Sequence, residues 1–122
     1  MNILFIYNLE NKEFDSVSLK IEESIKNIMK DTIINVFRKD KINYRLKPDI
    51  YVILSDNHEE VDGYFTKIKD KKKSIVLTNN ISSSNILSLI ENTKNVCYMK
   101  NDIEILVRKI YNVYIESKEN YV

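Results

Sequence analysis

Four short apolar runs, Ile3–Tyr7, Ile50–Leu54, Ile75–Leu77 and Val96–Met99, are each followed by a polar break and then by helical periodicity. A weaker fifth run, Ile33–Phe37, lies between the first two. Ile3-Leu4-Phe5-Ile6 shows no polar alternation, as a strand covered on both faces requires. Thr32–Phe37 is β-branched and aromatic, which predicts a strand nearer a sheet edge. The chain therefore predicts strand and helix in alternation from end to end.

The helices follow from spacing. After the first strand, Asp15 or Ser16 offers an N-cap. Val17, Ile21, Ile25, Ile28 and Met29 then recur as one apolar stripe, while Lys20, Glu22, Glu23 and Lys26 face away from it. Ile42 and Leu46 predict one short helix, which Pro48 ends because proline disfavours helix at the residue before it. Asp56 and Glu59 have capping-box spacing. They precede Val61, Tyr64, Phe65 and Ile68, the i, i+3, i+4, i+7 stripe of an amphipathic helix. Gly63 falls on that helix's solvent face, at a cost of up to ~1 kcal/mol relative to alanine. Asp70–Lys73 reads as a charged loop, and Ser82–Asn85 as the cap of a short helix carrying Ile86, Leu87 and Ile90. The last helix begins near Asn101 or Asp102 and buries Ile103, Leu106, Val107, Ile110, Val113 and Tyr114. Glu116–Val122 is polar enough to fray.

Right-handed crossovers turn this order into a three-layer, doubly wound α/β sandwich. Its five-stranded parallel sheet has the order 2-1-3-4-5. Such sheets bind ligands at the carboxyl ends of their strands. Here those ends carry Asn8, Arg38, Asp56, Thr78 and Lys100.

Composition narrows what these ends can do. At 122 residues one domain, 1–122, is expected. Hydrophobic residues at 43% and charged residues at 30% suit a globular protein. The longest apolar runs fall far short of the ~20 residues that span a bilayer. No membrane association is expected, and Met1-Asn2-Ile3-Leu4 lacks the basic flank of a signal peptide. Cys97 is the single cysteine, so no disulfide forms within the chain and a cytoplasmic location is expected. The formal charge of +1 is no nucleic-acid footprint. The basic clusters around Arg38–Lys47 and Lys67–Lys73 are interrupted by Asp40 and Asp70, so no direct nucleic-acid contact is expected. The lone glycine, Gly63, excludes both glycine-rich phosphate loops, which need several glycines for close backbone approach. No cofactor is expected.

Candidate chemistry is sparse. Asn8, Asp56, Thr78 and Lys100 form the expected ligand or anion site, with a hydroxyl donor and a charge-assisted contact from the lysine. Asp56 with Asn8 opposite is a poor Mg²⁺ site, since that ion wants one or two carboxylates in octahedral oxygen coordination. One histidine, His58, and one cysteine exclude an ordinary zinc set. No metal site and no catalytic residue are expected. Ile105, Tyr111 and Ile115 widen the last helix's stripe beyond what one sheet face needs. With Tyr98 they are expected to form an apolar interface.

These strand ends resemble the receiver domain of bacterial response regulators over nearly the whole chain. Ile75-Val76-Leu77-Thr78 is similar to that family's fourth strand with its Ser/Thr. Tyr98-Met99-Lys100 is similar to its fifth strand with its lysine, 22 positions later as in the family. Lys47-Pro48-Asp49 is a common entry to the third strand. The family's acidic pair falls at Tyr7 and Asn8, and its phosphoacceptor aspartate at Leu54, with Asp56 two residues on. The resemblance implies a flavodoxin-like fold and a degenerate, non-enzymatic signalling module. Such a module acts through a protein partner or effector domain, regulates transcription, and forms a homodimer through its last helix. Two alternatives stand beside it: a small-molecule sensor using the strand-end site, and an atypical phosphoacceptor using Asp56.

Overall fold

The computed structural model of the protein describes residues 1–42, 45–80 and 95–119. Strands β1 (Asn2–Ile6), β2 (Asn35–Lys39), β3 (Ile50–Leu54), β4 (Ser74–Thr78) and β5 (Val96–Tyr98) form one parallel sheet in the order 2-1-3-4-5. Helix α1 (Lys12–Ile28) follows β1, α2 (His58–Phe65) follows β3, and α3 (Ile103–Glu119) follows β5. A 3₁₀ turn at Lys71–Lys73 leads into β4. The expected flavodoxin-like α/β sandwich is therefore the fold observed.

Alternation along the central strands sorts the core into two layers. Ile3, Phe5 and Tyr7 face α1 and α3, together with Val52, Leu54, Ile75, Leu77 and Cys97. Leu4, Ile6, Ile53 and Val76 face the other way, against Val61, Phe65 and Ile68. Every residue from Ile3 to Tyr7 is fully buried, which accounts for the absence of polar positions in that run.

Four local expectations are corrected. β2 lies two residues beyond the Ile33–Phe37 run. Its register is set by β1, whose Asn2 pairs with Asn35 and Ile6 with Lys39. Residues before Asn35 have no strand opposite them, so Ile33 is left 81% exposed despite its β propensity. Second, α1 starts a turn earlier than Asp15 or Ser16. Asn11 is its cap, with the side chain accepting from the Phe14 N–H at 3.0 Å. The extra turn moves the buried stripe to Phe14, Ser18, Ile21 and Ile25, and Ile28 is 65% exposed.

Third, the cap of α2 is Asn57, accepting from the N–H groups of Glu59 and Glu60, which frees Asp56 for other bonds. Fourth, the described residues between β2 and β3 form no helix. Ile42 and Leu46 nevertheless pack into the second layer from an irregular segment. Asp49 closes that segment by accepting from the Asn2 N–H at 2.7 Å. The Ser82–Asn85 cap and the helix expected at Ile86, Leu87 and Ile90 lie outside the described residues.

The buried stripes of α2 and α3 fall where the spacing puts them, except that α2 ends at Phe65 and Ile68 packs from the segment after it. Val61, Phe65 and Ile68 are buried in one layer, and Leu106, Val107, Ile110 and Val113 in the other. α3 runs to Glu119, further than the polar tail suggests. Among the described residues no helix is long and apolar enough to cross a membrane.

Gly63 lies exposed in α2 without positive φ, and a Cβ built on it meets nothing within 4 Å. Gly63→Ala is expected to raise unfolding free energy by about 0.5–1 kcal/mol in urea titrations. Asn57→Ala is expected to lower it by about 1 kcal/mol through loss of the cap.

Candidate functional site

The strand order reverses between β1 and β3, and folds of this class open their ligand crevice at that point. Two polar clusters flank it here. The first belongs to β1, β2 and α1. Tyr7, the residue after β1, is buried, and its hydroxyl donates to Asp15 Oδ1 at 2.5 Å and lies 3.1 Å from Ser18 Oγ. Ser18 Oγ donates to the Asp15 carbonyl at 2.8 Å and accepts from Arg38 Nε at 3.0 Å. Arg38 reaches in from β2 with its guanidinium 5.4 Å above the Phe5 ring. Its Nη2 stands 2.7 Å from Glu22 Oε1, held by charge rather than by an aligned hydrogen bond. Lys26 Nζ meets the other Glu22 oxygen at 2.9 Å.

These contacts set the protonation states. Burial first, and the bond to Asp15 second, raise the Tyr7 hydroxyl above its ordinary 10.0. The Lys26 ammonium, joined by Arg38, holds the Glu22 carboxyl below its ordinary 4.5 against the opposing effect of burial. This is therefore a fully engaged set of groups, with a neutral tyrosine at its centre and an ion-paired arginine at its edge. Arg38 is taken out of the basic cluster with which the sequence associates it.

The second cluster belongs to β3, β4 and the residues after them. Asp56 Oδ1 accepts from the Asn79 N–H at 2.7 Å and from Thr78 Oγ1 at 3.3 Å. The Asn80 N–H donates to Thr78 Oγ1 at 3.0 Å. Asn79 Nδ2 donates to Asp56 Oδ2 at 3.3 Å and to Glu13 Oε1 at 2.9 Å. Glu13 sits on the first turn of α1, so one amide joins two carboxylates across the crevice. A free carboxylate pair would repel; the Asn79 amide hydrogens, one to each, relieve that.

Of the expected ligand residues, the structure bonds Thr78 to Asp56, and neither Asn8 nor Lys100 bonds to that pair. Asn8 closes a turn on itself, its Oδ1 accepting from the Glu10 N–H at 3.1 Å. Lys100 is exposed and forms no ion pair with a described residue. Thr78 has one hydroxyl hydrogen, directed at Asp56, and so offers no donor to an anion. Leu54, the position to which the resemblance assigns a phosphoacceptor, is a fully buried core side chain. Glu13 and Asn79 were not among the expected site residues. The signal for them was the pair of asparagines directly after Thr78, whose amides suit short reaches to carboxylates.

The expected interface residues are also divided. Tyr98 shares the sheet face of Val96, opposite the face that carries α3. Ile105 and Tyr111 are six residues apart in α3, which sets them about 120° apart around its axis. Ile115 lies on the Tyr111 side, one turn on. Cys97 is buried, accepts weakly from Asn101 Nδ2 at 3.4 Å, and has the surroundings of an inert core thiol. Among the described residues no three His, Cys, Asp or Glu side chains gather as metal ligands.

Tyr7→Phe removes a buried hydroxyl that donates to Asp15 and lies against Ser18 Oγ, and is expected to cost about 1–3 kcal/mol in urea titrations. For Glu22 the folded value is the lower one, so its contribution is present above the unfolded value and lost as pH falls through the folded one. Wild type is therefore expected to lose more stability than Glu22→Gln on acidification from about pH 5 to 3. No protein-family model matches the chain, and no curated protein is similar enough to count as a relative.

Proposed function

We propose that this chain is a receiver-like regulatory module that acts through protein contacts and is not switched by phosphorylation. The observation that carries this reading is the closed crevice at the strand ends. The Asn79 amide joins Glu13 to Asp56 where a receiver would hold a metal ion and a phosphoryl group. Tyr7 and Asn8 replace the acidic pair, and Leu54 replaces the acceptor. Each replacement removes a negative oxygen that phosphoryl transfer needs for its metal.

On this reading the polar groups of the strand ends serve the fold. They brace β1, β2 and α1 on one side and β3, β4 and α1 on the other. Signalling then depends on surface recognition, with transcription the outlet that the receiver resemblance implies. An effector domain or a second protein would carry the output. On this reading the hydroxyls near the strand ends are structural and not nucleophiles. Thr78, Ser18 and Tyr7 each bond to a carboxylate or a carbonyl that holds them in place.

Intact mass after incubation with acetyl phosphate and Mg²⁺ tests this. No phosphoryl adduct is expected on wild type or on Asp56→Ala. An adduct on wild type that disappears in Asp56→Ala would overturn the reading and make the protein an active phosphoacceptor.

A further inference from the structure

The formal charge of +1 is not spread evenly over this fold. Parallel strands put every turn that enters a strand at one end of the sheet and every turn that leaves one at the other. The leaving end is acidic, with Glu13, Asp15, Asp56, Glu59 and Glu60. The entering end carries five lysines in the seven positions Lys67–Lys73, directly before β4. The length of β4 alone holds the two ends about 16 Å apart, or two screening lengths at physiological salt. The acidic end therefore does not cancel the basic one.

The sequence sets Asp70 inside this run as an interruption. In the structure Asp70 Oδ1 accepts from the Lys72 N–H at 3.1 Å and starts the 3₁₀ turn Lys71–Lys73, so its carboxylate is turned to the backbone. Lys67, Lys69, Lys71 and Lys72 are exposed, and none forms an ion pair with a described residue. The turn packs against α3, and the register that sets Tyr51 opposite Ser74 brings the approach to β3 alongside it. Exposed Lys47 stands on that approach. Exposed Lys118, in the last turn of α3, lies over the Tyr114 ring at 4.3 Å, within reach of the Asp49 charge. These two continue the run into a basic ridge across the entering end.

The chemistry of the ridge indicates what it fits. Within Lys67–Lys73 the one apolar side chain, Ile68, is buried, and there is no arginine and no aromatic residue. Protein interfaces are anchored by aromatic residues and arginine and are depleted in lysine. A single nucleic-acid strand is held by stacking its bases on aromatic side chains. A flat anionic bilayer would meet the whole entering end, Asp31 and Asp49 included. A duplex is a rod with phosphates at regular intervals, and it can lie along the lysines alone. Mobile ammonium groups suit contacts that follow charge and read no base.

We propose that the ridge around Lys67–Lys73 binds the phosphate backbone of double-stranded DNA without reading its sequence. The contact is separate from the protein contacts proposed above and uses the end of the molecule opposite the closed crevice. The acidic end faces away from the DNA and fixes the orientation of the bound protein.

Fluorescence anisotropy of a labelled duplex of about 20 base pairs, titrated with the full chain at several salt concentrations, tests this. A Kd of roughly 1–100 μM at physiological salt is expected, with a log–log salt slope of about −4 for four to five phosphate contacts. Affinity then falls by about 200-fold between 50 and 200 mM salt. Lys71→Gln with Lys72→Gln is expected to weaken binding at low salt by about 10-fold or more and to reduce the slope by about 2. Lys12→Gln with Lys20→Gln removes the same charge elsewhere on the surface and is expected to leave the slope unchanged. Thermal melts check that these exposed positions leave folding intact. No binding at low salt, an equal loss in the two double variants, or tighter binding to phosphatidylserine vesicles or polyglutamate than to the duplex would each overturn the proposal. The phosphodonor experiment reads the functional proposal separately. Phosphorylation at Asp56 would leave the ridge in place, and failure to bind the duplex would leave the protein-contact reading intact.

Discussion

Burial of β1 on both faces is the constraint on which the rest of this structure depends. The strand lies between β2 and β3, and no side chain from Ile3 to Tyr7 reaches water. A strand so placed must satisfy its backbone within the sheet and its side chains against layers on both sides. α1 and α3 therefore gather on one face, and α2 with Ile42 and Leu46 on the other. Tyr7 carries the polar consequence of that burial. Its hydroxyl leaves the core at the end of the strand and must be met there, and Asp15 and Ser18 meet it from α1. Arg38 then docks on Ser18 from β2. One buried hydroxyl thus fixes the rotation of α1 about its axis and ties down an edge strand that has only one neighbour.

The same logic accounts for the closed strand ends. In doubly wound folds the crevice between β1 and β3 is open because the chain leaves in opposite directions on its two sides. Here α1 and the residues after β4 lean toward each other across it, joined by the Asn79 amide between Glu13 and Asp56. Side chains at the strand ends hold one another. The outer surface of the helices is less engaged than the strand ends. There, apolar side chains and uncommitted charges lie along the α1–α3 seam.

Much of the fold was legible in the order of the chain. Apolar runs without alternation identified the central strands, and i, i+3, i+4 spacing identified the buried faces of α2 and α3. Backbone periodicity reports such features because each depends on neighbours close in sequence. Boundaries were less legible. Asp15 and Asn11 are both good caps by residue type, and the choice of Asn11 follows from Phe14 reaching the core one turn earlier. The two-residue shift of β2 follows from its pairing with β1, which no feature of Ile33 or Ile34 reveals.

The candidate site was legible only as a set of strand-end residues. Asp56 and Thr78 were named, and they touch; Glu13 and Asn79, 66 residues apart, were not. The sequence by itself determined the layer architecture, the strand order and the absence of glycine-rich phosphate loops, since these rest on local pattern and residue type. Tertiary structure alone decided that the strand-end groups bond to one another, that Arg38 is turned inward, and that Tyr98, Ile105 and Tyr111 do not share a surface. Those outcomes depend on distances between segments remote in the chain, and a hydrogen bond forms or fails on differences of about an ångström.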